Sequence, residues 1–133
     1  MMTKVLGIDY GLKKVGLAIT EGFLAEPLGI LKVKEKPNHL LSQINFLCQK
    51  EAVEKIVIGL PESGLVKKIK KFGADLGKIT SLPVIYQPET LTTKDALAKM
   101  KEAGLGRKDK KKKEDAIAAA LILQSWLDQK NYV

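Results

Sequence analysis

The segment Gly7–Gly16, with the sequence GIDYGLKKVG, places an acid at the end of an apolar strand. The strand predicted over residues 4–8 contains the β-branched Val5 and Ile8, and the glycine-rich residues that follow it indicate a tight connection to a second strand. On a period of two, Asp9 shares a face with Val5 and Gly7. A buried carboxylate is costly, so Asp9 requires backbone donors, a cation or a neutral form. From the residues alone, an Asp that stabilises its own turn and a functional Asp are equally plausible.

The composition leaves carboxylates as the main catalytic resource. The chain has 133 residues, of which 45% are hydrophobic, and is expected to form one domain over residues 1–133. It has no apolar run as long as a membrane span and no secretory segment, so we expect a soluble, cytoplasmic protein without a membrane partner. Cys48 and His39 are the only residues of their types, which argues against a disulfide framework, a thiolate cluster and a histidine-based triad. Nothing in the sequence indicates an oligomeric state.

The charge of the chain is compatible with a nucleic-acid partner. The formal net charge is +8, and Arg107 is the only arginine. Lysine seeks phosphates rather than reading bases. One segment, which we name the basic loop, carries six basic residues and one acid: Arg107, Lys108, Lys110, Lys111, Lys112 and Lys113, with Asp109. We expect the basic loop to contact phosphates, whereas the lysines at 67, 68, 70 and 71 are interpreted as the solvated face of a helix.

The order of the predicted elements indicates an α/β fold. Strands are predicted over residues 4–8, 15–20, 28–33, 55–61 and 83–86, and helices over 40–48, 65–76, from 92 or 93 to 103, and 116–129. Short connections favour an antiparallel start, and the later strands are joined through helices. The sequence therefore predicts a mixed five-stranded sheet, with the first three strands antiparallel and the later ones parallel, and with helices on both faces.

Three acids are predicted to meet at one edge of this sheet. Asp9 and Glu89 follow strands whose carboxyl ends form that edge. Asp115 is in helical register with Ala119 and Ile122, on the apolar face of the last helix. Glu89 in solvent and Asp115 at a favourable helix N-terminus are the simpler alternatives. Three converging carboxylates without His or Cys favour Mg²⁺ or Mn²⁺, and two such ions about 4 Å apart can activate water for phosphodiester hydrolysis.

Four motifs then resemble one family. They are Gly7–Ala18, Val57–Pro61, Glu89–Thr93 and Asp115–Ala120, and in this order they are similar to the YqgF/RuvX family of RNase H-like nucleases. The resemblance implies an RNase H-like fold, a divalent-metal nuclease and a role in maturing the 5′ end of pre-16S ribosomal RNA, with structured RNA as partner. Family members are also described as Holliday-junction resolvase-like, which implies branched DNA as another partner.

By motif match, the resemblance assigns the catalytic and metal-ligating roles to Asp9, Glu89 and Asp115, and a nucleic-acid-binding role to Lys13 and Lys14.

The chain departs from the family at one motif. Where the family commonly shows Asp-Glu-Arg, this chain has Pro88-Glu89-Thr90, which keeps the central acid and lacks its two charged neighbours. Glu62 is a substitute ligand to be considered.

Three functional alternatives remain beside an RNA endonuclease. The first is a Holliday-junction resolvase, and the second is a non-catalytic nucleic-acid-binding module with the same fold. The third, a sugar-kinase or actin-like ATPase, is disfavoured because such enzymes use two domains of this kind.

Overall fold

A five-stranded mixed sheet forms the centre of the computed structural model, which describes residues 3–33, 37–89 and 116–131. Its spatial order is β3-β2-β1-β4-β5. The strands are β1 (Val5–Asp9), β2 (Lys14–Thr20), β3 (Glu26–Lys32), β4 (Lys55–Leu60) and β5 (Val84–Pro88). The first three strands pair antiparallel, and β4 pairs parallel with both β1 and β5. The predicted mixed sheet is confirmed.

The turn between β1 and β2 depends on a glycine. A Cβ at Gly11 would lie 2.7 Å from the carbonyl oxygen of Lys14, closer than a real side chain allows. The missing side chain therefore lets the chain reverse within four residues after Asp9. Any side chain at position 11 would clash here, which accounts for the glycine two residues after Asp9.

The third strand differs from the prediction at its start. It begins at Glu26 rather than near residue 28 and contains Pro27. Because β3 is at the edge of the sheet, the missing N–H of Pro27 does not break a ladder with a further strand. An irregularity in the pairing with β2, between Leu17 and Ala18, accompanies this proline.

In the described part of the chain, three helices cover the two faces of the sheet: α1 (Pro37–Lys50), α2 (Val66–Thr80) and α3 (Ile117–Asn131). Pro37 occupies the first helical position of α1, where its fixed φ is favourable. Helix α2 is one turn longer than predicted and ends at Thr80. The residue that caps it, Ser81, has a left-handed φ of 59°, and its N–H donates to the carbonyl of Gly77. The helix predicted from residue 92 or 93 to 103 and the basic loop lie outside the described residues.

The strand alternation produces two cores. Leu6, Ile8, Ile56 and Ile58 face α1 and α2, whereas Val5 and Val57 face α3. Cys48 belongs to the first core, as predicted, and burial raises the pKa of its thiol to about 11. The fully described helices are all too short or too polar to cross a membrane.

Helix α3 packs directly on the middle of the sheet. A Cβ at Gly7 would lie 2.7 Å from the Cβ of Leu123 and 3.1 Å from the carbonyl oxygen of Ala119, so the glycine permits the contact. Ala119 and Ala120 are fully buried. The close approach predicted from the small residues on both sides is confirmed.

Three buried polar residues on α3 were not predicted: Gln124, Ser125 and Asp128. Gln124 makes two hydrogen bonds to the turn between β2 and β3. Its Oε1 accepts from the N–H of Ala25 at 2.8 Å, and its Nε2 donates to the carbonyl of Phe23 at 2.8 Å. Its Nε2 also donates to Asp128 Oδ1 at 3.0 Å.

Candidate active site

Asp9 is the last residue of β1 and lies at the carboxyl end of the parallel part of the sheet. The alternation places it on the face that carries Val5 and Gly7, toward α3. Its side chain is half-buried, and this burial raises the pKa of its carboxyl. The charged form of Asp9 is therefore poorly solvated in the folded protein.

Glu89 directly follows β5, and its carboxylate lies over β4 on the same face as Asp9. Its Oε1 is 2.9 Å from the position that a Cβ would take at Gly59. The pKa of Glu89 is raised, first by burial and second by the negative charge of Asp9. The structure thus brings these two acids, which are 80 residues apart in the chain, into electrostatic contact.

The departure at residues 88–90 preserves the acid on the face of Asp9. Pro88 is the last residue of β5 and lies on the same face as Tyr86, two residues earlier, which packs on the core beneath α1 and α2. An acid at position 88 would therefore point away from the face that Asp9 and Glu89 share. Within the described residues 88 and 89, only the central position of the motif directs a carboxylate toward Asp9.

Gln87 is a buried residue of this region that the sequence reasoning missed. It pairs with Gly59 and is 3% exposed, and its Nε2 has no hydrogen-bond partner within the described part of the chain. It lies two residues before Glu89, on the same face of β5 as the partly buried Ile85. A polar residue at the end of an otherwise apolar strand was the available sequence signal.

Helix α3 begins at the edge of the sheet where the two acids meet. Ile122 contacts Gly59 near the carboxyl end of β4, whereas Trp126 lies beside Lys55 at the start of that strand, with the Lys55 Nζ 6.0 Å from the ring centroid. Helix α3 therefore runs opposite to β4, and its first turn lies at the carboxyl end. Asp115 itself lies outside the described residues.

Two described residues, Ala116 next to Asp115 and the alternative ligand Glu62, bear on whether a third acid joins Asp9 and Glu89. Ala116, the residue after Asp115, is fully buried, and its carbonyl accepts from the N–H of Ala120 at 3.1 Å. Glu62 is exposed in the turn between β4 and α2. Among residues 3–33, 37–89 and 116–131, no cluster of three His, Cys, Asp or Glu side chains could hold a metal ion, so Glu62 does not complete such a cluster with Asp9 and Glu89.

The residues predicted to contact phosphates fall in two parts of the chain. Lys13 and Lys14 are exposed where β1 turns into β2, and the carbonyl of Lys13 accepts from the N–H of Val33 at 2.8 Å. This hydrogen bond ties the turn to the end of β3. The six basic residues of the basic loop lie in the part of the chain that is not described.

The described acids fit a divalent cation. Asp9 and Glu89 are hard oxygen donors, and both are held where burial disfavours the charged form. Each carboxylate also repels the other, as the effect of Asp9 on the pKa of Glu89 records. A divalent cation relieves both penalties at once, which is why paired carboxylates of this kind are typical Mg²⁺ or Mn²⁺ ligands.

A comparison with protein families shows to which family the chain belongs. The family model described as "RuvX: Holliday junction resolvase" matches residues 3–129. The chain belongs to the RuvX family. Two similar RuvX relatives carry the name "Putative pre-16S rRNA nuclease". The one from Rickettsia canadensis is 39% identical, covering 95% of this chain and 86% of the relative, and the one from Lactococcus lactis strain SK11 is 35% identical, covering 96% of each.

Solved structures place the RuvX chain among RNase H-like resolvase folds. RuvC of Thermus thermophilus, solved with a Holliday junction substrate, aligns with a TM-score of 0.65 at 18% identity and covers 96% of each chain. The Holliday junction resolvase of fowlpox virus aligns with a TM-score of 0.55 at 17% identity, covering 96% of this chain and 99% of the viral one. At these identities the likeness establishes the fold, and the predicted RNase H-like architecture is confirmed.

Proposed function

We propose that this protein is a divalent-metal-dependent endonuclease that matures the 5′ end of pre-16S ribosomal RNA. The observation that carries the proposal is the electrostatic contact between Asp9 and Glu89, two half-buried acids at the carboxyl edge of the sheet. Half-buried carboxylates that lie close together, with no histidine or cysteine among the proposed ligands, favour Mg²⁺ or Mn²⁺, and these ions support phosphodiester hydrolysis. Membership of the RuvX family and the names of its relatives support this choice of reaction and substrate.

Three acids are proposed as the metal ligands: Asp9, Glu89 and Asp115. Asp115 is included because it directly precedes the buried Ala116 at the end of α3 that faces the carboxyl edge of the sheet. Bound Mg²⁺ or Mn²⁺ ions, in a pair, supply Lewis-acid activation of a water nucleophile and stabilise the leaving 3′ oxygen. The chain contributes pre-positioned carboxylates, since the sheet fixes Asp9 and Glu89 before any ligand arrives.

We propose that lysines and one arginine hold the substrate through its phosphates. Lys13 and Lys14, exposed beyond Asp9, and the basic loop that precedes Asp115 in the chain are proposed to bind phosphates of the substrate on both sides of the cleaved bond. These contacts position the nucleic acid without reading its sequence.

A second candidate is cleavage of four-way DNA junctions by the same chemistry. It is favoured by the description of the matching family model and by the resolvase structures that share the fold. The proposed acids and phosphate contacts are the same for both substrates, so only the nucleic acid that is bound and cut distinguishes the two candidates.

Cleavage assays on both substrates test the proposal. The protein is incubated in Mg²⁺ or Mn²⁺ with a precursor 16S RNA carrying its 5′ extension and, separately, with a four-way DNA junction. Cleavage of the RNA alone supports the proposed function, and cleavage of the junction alone supports the second candidate. Failure to cleave either substrate, with no heat on titration of Mn²⁺, would favour a non-catalytic binding module.

Isosteric variants connect the activity to the three acids. Asp9→Asn, Glu89→Gln and Asp115→Asn should each abolish cleavage and leave nucleic-acid binding unchanged or tighter, because one negative charge fewer faces the phosphates. Glu54→Gln is the matched control, since Glu54 is exposed directly before the start of β4, at the opposite end of that strand from Gly59 and Glu89. Retained cleavage in Asp115→Asn would remove Asp115 from the site.

A further inference from the structure

A small apolar pocket lies between α1 and α2, behind the residue that follows Asp9. It has a volume of about 190 Å³. Apolar walls come from Tyr10, Val33, Leu40, Leu41 and Phe72, and the side chains of Lys68, Lys71 and Asp75 complete the lining. The volume suits one heterocyclic ring and is too small for a larger ligand.

The pocket is at the same edge of the sheet as the proposed catalytic acids. Tyr10 follows β1 and Val33 follows β3, two strands that run in the same direction because each is antiparallel to β2. Leu40 and Lys68 belong to the first turns of α1 and α2, which start from this edge. Asp9 faces α3, and Tyr10, the next residue, faces α1 and α2.

The chemistry of the pocket matches a nucleobase with its phosphate. Tyr10 and Phe72 both line the pocket, and their rings pack together with centroids 4.8 Å apart and a tilt of 39°, so aromatic side chains form part of its wall. Bases stack on such side chains whatever their identity. Lys71 is paired with Asp75, whereas Lys68 is exposed and makes no ion pair within the described residues. An unpaired ammonium at the rim of an apolar pocket complements a phosphate attached to a buried base.

We propose that this pocket receives an unpaired base of the substrate strand while Lys68 contacts a neighbouring phosphate. The inference rests on the proposed function and narrows its substrate class, because a base can enter the pocket only where the nucleic acid is single-stranded, bulged or locally opened. Lys68 then has a binding role, in place of the solvation that the helical pattern indicated.

Fluorescence of a base analogue tests the pocket separately from cleavage. An RNA hairpin with one bulged 2-aminopurine is titrated with the full-length protein in EDTA, with a fully paired duplex of the same length as comparator. Stacking in the pocket should quench the 2-aminopurine, and the bulged RNA should bind about tenfold more tightly than the duplex. Equal binding of the two RNAs, or no quenching, would overturn the proposal.

A matched pair of charge reversals locates the contact on α2. Lys67→Glu and Lys68→Glu change the net charge equally at neighbouring exposed positions, and only Lys68 lines the pocket. Lys68→Glu should weaken binding of the bulged RNA several-fold more than Lys67→Glu does, and Tyr10→Leu should remove most of the preference for the bulge. Equal weakening by the two lysine variants would contradict the inference.

The two proposals fail in different ways. A protein that binds and quenches the bulged base but cuts no substrate in Mg²⁺ or Mn²⁺ overturns the nuclease proposal and leaves the pocket in place. A protein that cleaves without preference for an unpaired base overturns the pocket alone. Failure to bind either RNA in EDTA also overturns the pocket.

Discussion

The carboxylate of Glu89 lies against Gly59, with its Oε1 2.9 Å from the position where a Cβ would be. Glycine at this position leaves the space that the acid occupies. It also admits the side chain of Ile122 from α3, which touches the same position. The candidate active site therefore depends on the missing side chain of Gly59 in β4, the strand between β1 and β5.

Gly59→Ala should displace Glu89 and impair the site. The new methyl group would overlap both the Glu89 carboxylate and Ile122, and the backbone of Gly59 shows no positive φ that would add strain. We expect cleavage and Mn²⁺ affinity to fall by about tenfold or more, with a cost in stability of about 1–3 kcal/mol from overpacking. Isothermal titration with Mn²⁺ and thermal unfolding measure the two effects.

Gly77→Ala provides the control for that variant. Its Cβ would lie 3.5 Å from Val84 Cγ2, an ordinary contact, and residue 77 is inside helix α2. This change should leave Mn²⁺ affinity unaltered. A similar drop in affinity in both variants would mean that Gly59 acts through general stability rather than through Glu89.

Asp9 should destabilise the metal-free protein at neutral pH. Burial raises its pKa, and burial together with the Asp9 charge raises the pKa of Glu89. Unfolded carboxyls ionise near pH 4, before the folded ones. The contribution of these groups to the free energy of unfolding should therefore fall as pH rises from about 4 through the raised folded pKa values, and level off above them.

Thermal unfolding of Asp9→Asn in EDTA measures this contribution against wild type. The variant should have the higher Tm at pH 7, and the difference should shrink as pH falls toward 4. Mn²⁺ at a hundredfold excess over its Kd should stabilise the wild type by about 2.7 kcal/mol and the variant far less. A variant that is no more stable than wild type in EDTA at pH 7 would contradict the assignment.

Gln87→Leu should stabilise the protein. The Nε2 of Gln87 is buried and has no hydrogen-bond partner within the described residues, so its removal frees the fold of a desolvated donor. An apolar side chain of similar size should raise the free energy of unfolding by about 1 kcal/mol. Chemical denaturation measures the change. A clear loss of stability would indicate that the amide makes a contact with the part of the chain outside the described residues.

Gln124→Ala should destabilise the fold far from the candidate active site. The change leaves the buried N–H of Ala25 and the carbonyl of Phe23 without their side-chain partner. The buried N–H of Ala25 left unsatisfied costs about 1–3 kcal/mol, whereas Phe23 is exposed and its carbonyl can bind water, so a loss of about 1–3 kcal/mol is expected on chemical denaturation. Gln129→Ala, at an exposed position on the same helix, should be near neutral.

Neutralising the basic loop should weaken binding of nucleic acid without changing its sequence preference. Replacement of Lys110, Lys111, Lys112 and Lys113 by alanine removes four of the charges proposed to contact phosphates. The slope of log affinity against log salt concentration should fall by about 0.7–0.9 for each phosphate that the variant no longer neutralises. Filter binding over a range of salt concentrations measures it. An unchanged slope would place the phosphate-binding residues elsewhere.

The sequence by itself determined the sheet and the chemistry available to it. Apolar patterns and connection lengths predicted a mixed five-stranded sheet with an antiparallel start and parallel later strands, because they restrict which strands can pair. Because the chain has one His and one Cys, the sequence indicated carboxylates as its catalytic groups. The small residues Gly7, Ala119 and Ala120 predicted that α3 packs closely on the sheet, which the structure confirms. The observed ends of strands and helices differ from the predicted ones by a turn or less. Examples are the start of β3 near Pro27, at the edge of the sheet, and the end of α2 at Thr80, where a capping residue follows.

Only the tertiary structure decided which side chains meet. Pro88 and Glu89 are adjacent in sequence, yet strand alternation sends only position 89 toward Asp9, and the lack of a side chain at Gly59 gives Glu89 its place. The burial of Gln87 Nε2, which has no hydrogen-bond partner within the described residues, and the hydrogen bonds of Gln124 to the turn between β2 and β3 both depend on the packing of residues far apart in the chain. Such contacts have no local signature, because they arise when separate elements pack together and bury the same small volume.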